Sequence, residues 1–86
     1  MQYVLHPVDV IAMHSADGGI IPIRFQIEND EQERLRIDIQ EIIKTTEITH
    51  VGAESTIFLC RVRMGDRNRI LELKYRLRSH SWYLLE

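Results

Sequence analysis

The sequence holds few of the residues that cross-link a chain or interrupt it. Cys60 is the single cysteine among 86 residues, so no internal disulfide can form and a small oxidised scaffold is excluded. Two prolines, Pro7 and Pro22, and four glycines are the only strong breakers. That scarcity excludes collagen-like and low-complexity architectures. No apolar run approaches the roughly 18 residues that a membrane-spanning helix needs. The first residues, Met1-Gln2-Tyr3-Val4-Leu5-His6-Pro7, offer neither a basic stretch nor an apolar core of useful length, so no secretory signal is read there. With the lone thiol, this leads to the expectation of a reducing cytoplasm.

What is present is ordinary for a folded protein. The apolar fraction is 44% and the charged fraction 28%, which argues against disorder. Residues 1–86 are read as a single domain. A chain of this size buries only about 60–65% of the surface its unfolded form exposes, so its core is thin.

The dominant pattern has a period of two. Ile21, Ile23, Phe25 and Ile27 alternate with polar or breaking residues, as do Leu35, Ile37 and Ile39. Phe58, Cys60, Val62 and Met64 form a third row, and Leu71, Leu73, Tyr75 and Leu77 a fourth. Such rows predict half-buried antiparallel strands.

The bends are tested by asking whether neighbouring rows fall on one face, since a slip of one residue inverts a strand. A two-residue turn at Asp17-Gly18 sets Val8, Val10 and Ala12 against Ile27, Phe25 and Ile23. An odd loop over residues 29–33 sets Ile27, Phe25 and Ile23 against Leu35, Ile37 and Ile39, with Arg24 facing Asp38 outside. A loop within residues 65–68 sets Val62, Cys60 and Phe58 against Leu71, Leu73 and Tyr75. Around Ile42-Ile43 the alternation loses phase. That predicts a bulge or sharp bend, with a short helix over residues 39–44 as the rival reading. Val51-Gly52 reads as a turn, and a last strand follows Ser79-His80 over residues 81–85. The fold class predicted is all-β: a single small antiparallel meander of five or six strands forming a strongly bent sheet or a small barrel like the Src-homology-3 fold.

Candidate chemistry is sparse. Cys60 points inward between Phe58 and Val62, where a thiol is hard to ionise and acts as a small hydrophobe. His6, His14, His50 and His80 lack metal-ligand spacing, and His14 is expected at the end of a core-facing row. Asp30, Glu31 and Glu33 sit in a solvated loop, where nothing separates their pKa values for acid–base work. No enzyme, cofactor, metal or small-molecule substrate is inferred.

Two features bear on binding. Net charge is only −2, yet its distribution is uneven. Residues 28–54 hold eight acids against three bases, and residues 61–78 hold seven bases against two acids. Arg61, Arg63, Arg67, Arg69, Lys74, Arg76 and Arg78, with Tyr83, are the candidate nucleic-acid contacts, using cations for the backbone and an aromatic ring for a base. The competing reading is that acidic and basic strands neutralise each other. Trp82 either joins that aromatic surface or plugs the barrel floor, alternating inward with Leu84, which leaves Tyr83 as the exposed ring. Ile11, Met13, Ile57, Leu59 and Ile70 are sent to the outer face by the alternation, where a grouped apolar patch would mark a protein interface. The simpler reading is that a closed sheet, or the N-terminal residues Tyr3, Val4 and Leu5, covers them. A protein-interaction or self-associating adaptor, for instance a homodimer, is the leading expectation, and a nucleic-acid-associated module the second.

The run Gly19-Ile20-Ile21-Pro22-Ile23-Arg24-Phe25, a strand ending near Glu41-Ile42, and the closing Trp82-Tyr83-Leu84 resemble certain uncharacterised bacterial small β-barrel domains. Some of these are encoded beside error-prone DNA polymerases. The likeness spans most of the chain in layout but only residues 22–25 and 82–84 in side chains. It implies a small barrel and a nucleic-acid context, and it transfers no activity.

Overall fold

The computed structural model describes residues 5–85. Seven strands follow in order: β1 (Leu5–Pro7), β2 (Asp9–His14), β3 (Ile20–Glu28), β4 (Arg34–Ile48), β5 (Ser55–Met64), β6 (Arg67–Arg76) and β7 (Ser81–Leu85). All pair antiparallel in one sheet of order β1-β7-β6-β5-β4-β3-β2. The sheet is a meander from β2 to β7, curled into a half-barrel. The all-β, strongly bent architecture is as the alternation predicts. The strand number exceeds the expected five or six because the N-terminal segment divides at Val8. Leu5–Pro7 pair with β7, and Val8 donates its N–H to Trp82 O at 3.2 Å. Asp9 onward pairs with β3 instead. One extended segment thus serves both ends of the sheet.

The curl has a second source in β4. Its first part pairs with β3 through Asp38, and from Ile39 it pairs with β5. The β4–β5 register shifts between Ile39 and Glu41 and again between Ile42 and Lys44. An extra residue in one strand bends it and increases its twist. The phase loss at Ile42-Ile43 is therefore a bulge, and the helical alternative for residues 39–44 is set aside. Ile42 faces Cys60 on the inside, while Ile43 is left exposed.

Curling brings one face of a single sheet against itself. Phe25, Ile37, Phe58, Cys60, Val62, Leu73, Tyr75, Trp82 and Leu84 form one buried cluster. Trp82 lies 5.7 Å from Phe58 and 4.7 Å from Tyr75 between ring centroids, both tilted. Such pairs add roughly 0.5–1.5 kcal/mol beyond their buried area. The Tyr75 hydroxyl meets His80 Nδ1 at 2.7 Å, so its polar end is satisfied at the edge of the core. His80 itself takes φ +53°, in the tight connection between β6 and β7.

Several expected pairings differ. The first hairpin is closed by residues 15–19 rather than by Asp17-Gly18 alone, with Ser15 N–H to Gly19 O at 2.9 Å and Gly18 N–H to Ser15 O at 3.0 Å. Asp9, Val10 and Ile11 meet Gln26, Phe25 and Arg24 as expected, but Ala12 meets Pro22, not Ile23. A bulge between Ile11 and Ala12 leaves Ile23 as the extra residue and reverses the phase of β3 there. Pro22 is consequently buried, and Ile21 and Ile23, predicted inside, are exposed. Proline lacks the N–H of a regular ladder and belongs at such a bulge. Val8, aligned by the sequence with Ile27, spends its N–H on β7, and its side chain packs partly buried against the core.

The loop of residues 29–33 gives the expected register, including Ile27 with Leu35 and Arg24 with Asp38. Asn29 Oδ1 holds it by accepting the N–H groups of Glu31 and Glu33, at 3.0 and 2.9 Å. The expected pairing of Ile23 with Ile39 does not form, because Ile39 has passed to Val62 of β5. Leu35 and Leu77, also predicted inside, are 39% and 45% exposed, the first at a strand end and the second in the β6–β7 turn. His14 is exposed rather than partly buried.

In the last hairpin Met64 meets Arg67, so the turn is Gly65-Asp66 and the pairing is offset by two residues from that expected. Gly65 takes φ +63° while Asp66 does not turn positive, the pattern of a II′ turn with glycine first. The offset keeps the faces: Phe58 meets Leu73 and Cys60 meets Leu71. Arg61 now meets Ile70, and Glu72 meets Leu59.

The phase reversal at Ile23 sets a sharp contrast. Ile23→Ser is expected to change stability by less than about 0.5 kcal/mol, whereas Phe25→Ala, two positions on, should cost about 3–5 kcal/mol. Urea unfolding followed by Trp82 fluorescence checks both. Equal losses at the two positions would contradict the bulge.

Candidate functional site

The core encloses the one cysteine. Cys60 is fully buried, and its thiol lies 3.4 Å from Phe58 O. Burial pushes the thiol up to about 11. Among the described residues no three His, Cys, Asp or Glu side chains converge as a metal site would require, and no helix is long and apolar enough to cross a membrane. Asp17 is held below the usual carboxylate range, chiefly by the Ser15 hydroxyl and then by the Gly19 N–H at 3.1 Å. These bonds fix the first hairpin turn.

The sheet has two surfaces of interest. The five apolar residues assigned to one outer patch are divided by the strand order. Ile11 and Met13 lie on β2, whereas Ile57 and Leu59 lie on β5 and Ile70 on β6, with β3 and β4 between the groups. Ile57 and Leu59 are half-buried, and Ile70 is 53% exposed. On β2, Ile11 and Met13 are 59% and 48% exposed and pair across to Arg24 and Ile21. Ile21 and Ile23, at 41% and 46%, extend that apolar strip onto β3. Alternation alone hid these two, although Pro22 within an apolar run was the available signal for a bulge. Of the proposed cover, Tyr3 and Val4 lie outside the described residues, and Leu5 is committed to Leu85 of β7.

β2 is also an edge. It pairs with β3 on one side and with no strand on the other among the described residues. Native edges are usually shortened, charged or interrupted by proline. The opposite edge, β1, follows that rule: it is three residues long and contains Pro7. β2 runs Asp9-Val10-Ile11-Ala12-Met13-His14, with no lysine, arginine or proline.

The basic residues do not make one face. Arg61 pairs with Glu41 of the neighbouring acidic strand, so part of the charge asymmetry is neutralised across β4–β5. Arg24 likewise meets Asp38 at 2.6 Å. Arg63 Nε donates to Gly65 O at 3.1 Å at the hairpin tip, and Arg69 approaches Met64 Sδ at 3.9 Å. Arg67 opens β6 at the same tip.

Lys74, Arg76 and Arg78 lie at the far end of β6 and beyond. Lys74 faces Ile57 and Tyr83 across the ladder, and Arg76 faces Ser55 and Ser81. All four neighbours are uncharged, and neither cation has an ion-pair partner among the described residues. The Arg76 guanidinium sits 4.8 Å above the Tyr83 ring, a cation–π stack. Tyr83 is thus outward, as expected, and half-buried under that stack. Arg78 Nε lies 3.4 Å from Glu54 Oε2, near enough for charge pairing but without hydrogen-bond geometry. The Glu54 carboxyl is held below its usual range, first by its own backbone N–H and that of Gly52, with Arg78 contributing less.

Together the fold and these surfaces define a class, a small all-β half-barrel with an open apolar edge and a basic end. No family model, curated protein or solved structure matches the chain.

The buried thiol gives a pH prediction. The folded state keeps the Cys60 proton beyond the pH at which an unfolded thiol, near 9.0, releases it. The stability contribution is therefore complete below pH 9 and is lost as pH rises to about 11. Denaturation series across that window should show a steeper alkaline decline for the native sequence than for Cys60→Ala. Identical slopes would show that Cys60 is not so buried.

Proposed function

We propose that the protein is a non-enzymatic interaction module that associates with a second copy of itself through the open edge of β2. The carrying observation is the combination of a strand edge left unpaired among the described residues with the adjoining strip Ile11, Met13, Ile21 and Ile23. Strand addition satisfies the free backbone groups, and alternate side chains supply the specificity.

A second copy suits this edge because β2 is complementary to itself. A two-fold axis through Ala12 sets Ile11 of one copy against Met13 of the other on the outer face. Val10 then meets His14, and Asp9 meets Ser15. No like charges face each other, and such opposition is what destabilises cross-strand pairs. The pairing would extend the sheet and cover apolar side chains that the single chain leaves in water.

Analytical ultracentrifugation over a concentration series tests this reading. A monomer–dimer equilibrium is expected, weakened at least about tenfold, or about 1.4 kcal/mol, by Ile11→Lys, which brings a charge to the apolar contact in each copy. A chain that stays monomeric up to about 1 mM would overturn the proposal.

A further inference from the structure

The surplus positive charge is concentrated where it has no acidic neighbour across the strands, and an aromatic ring stands in the middle of it. Lys74 and Arg76 are alternate residues of β6, so they project from one face about 7 Å apart. This is comparable to the separation of neighbouring phosphates along an extended single strand of nucleic acid. Their ladder neighbours Ile57, Tyr83, Ser55 and Ser81 are all neutral. Beyond them an open hollow of about 380 Å³ is bordered by Glu54, Ser55, Lys74, Arg76, Arg78 and Ser79. Glu54 is its one carboxylate, against three cations. The Arg78 side chain is 71% exposed and pairs with Glu54 at 3.4 Å, so a ligand phosphate would share it with that carboxylate.

The Arg76–Tyr83 stack adds a second element. The guanidinium carbon lies over the ring, 4.8 Å from its centroid, so a cation and an aromatic face are already paired before any ligand arrives. Bases of single strands stack on aromatic rings and on arginine planes, while cations track the sugar–phosphate chain. From this juxtaposition the geometry points to a binding site for single-stranded nucleic acid at the Lys74–Arg76–Arg78 end of β6, with the Arg76–Tyr83 stack as base platform and the flanking cations as phosphate contacts. Four of the eight basic and aromatic residues singled out from the sequence belong to it. Arg61 is neutralised by Glu41, and Arg63, Arg67 and Arg69 lie toward the opposite end of β6. The inference is independent of pairing through β2.

Fluorescence anisotropy with a short labelled oligothymidylate tests the site. Binding should weaken with salt, the log affinity falling by about 2 per decade if three phosphates are neutralised at about 0.7 each. Arg76→Gln and Lys74→Gln should each reduce that slope by about 0.7. Tyr83→Ala should weaken binding at least about fivefold, a little under the loss of one stacked base, while leaving the slope unchanged. Arg67→Gln and Arg69→Gln, at the opposite tip, should bind as the native protein does. Circular dichroism of each variant checks that it is folded. No binding at about 50 mM salt overturns the proposal. So does equal weakening by the tip variants, which would indicate diffuse charge attraction. Retention on phosphatidylserine vesicles with the same residue dependence, without oligonucleotide binding, assigns the patch to a membrane surface and also overturns it.

Discussion

The structure depends on the bending of β4. A flat seven-stranded sheet would have two faces and no interior, and the described residues form no second layer to cover it. The shifts at residues 39–41 and 42–44 let one 15-residue strand pair with β3 at its start and with β5 along the rest. The extra twist folds the sheet onto its own inner face. The division at Val8 does the same at the other end, where one segment serves first β7 and then β3. A single sheet thereby supplies both sides of the Phe25–Val62–Leu73–Trp82 core. This is how a chain with little surface to bury gains an interior without an internal disulfide.

The candidate surfaces follow from where that closure stops. Leaving β7 at Val8 gives β2 an outer edge that is unpaired among the described residues, and the bulge at Ile23 turns two isoleucines toward the same region. At the opposite end of β6, the ladder places Lys74 and Arg76 beside neutral partners, whereas Arg61 finds Glu41. The acidic strand therefore neutralises only the part of the basic hairpin it lies beside. Exposed surface ion pairs of that kind add little stability, commonly between 0 and about 1 kcal/mol. Their larger effect here is to decide which arginines remain available.

How much of this could be read from the residues depended on whether a feature survives a shift by two. Face assignment does: Phe58, Cys60 and Val62 remain inside although the last hairpin is offset, because an even shift preserves parity. Cross-strand partners do not survive it, so Val62, expected against Leu71, stands against Arg69. Arg24–Asp38 was legible because the odd loop between β3 and β4 fixes a single register there. Arg61–Glu41 was not, because it lies between two bulges. The loss of phase at Ile42-Ile43 announced one bulge openly. Pro22 marked the bulge in β3, but its apolar neighbours continued the alternation and concealed it. The grouping of outer residues needs the strand order itself. For that reason Ile11 and Met13 separated from Ile57, Leu59 and Ile70, and the eight basic and aromatic candidates reduced to four.

The most direct test of the account is a nuclear Overhauser spectrum of methyl and aromatic protons. The bent-sheet interior predicts contacts linking Phe25 and Ile37, from the β3–β4 half, to Val62 and Leu73 of the β5–β6 half. Contacts confined within each half, with Phe25 and Trp82 in separate environments, would contradict the closure on which every surface described above depends.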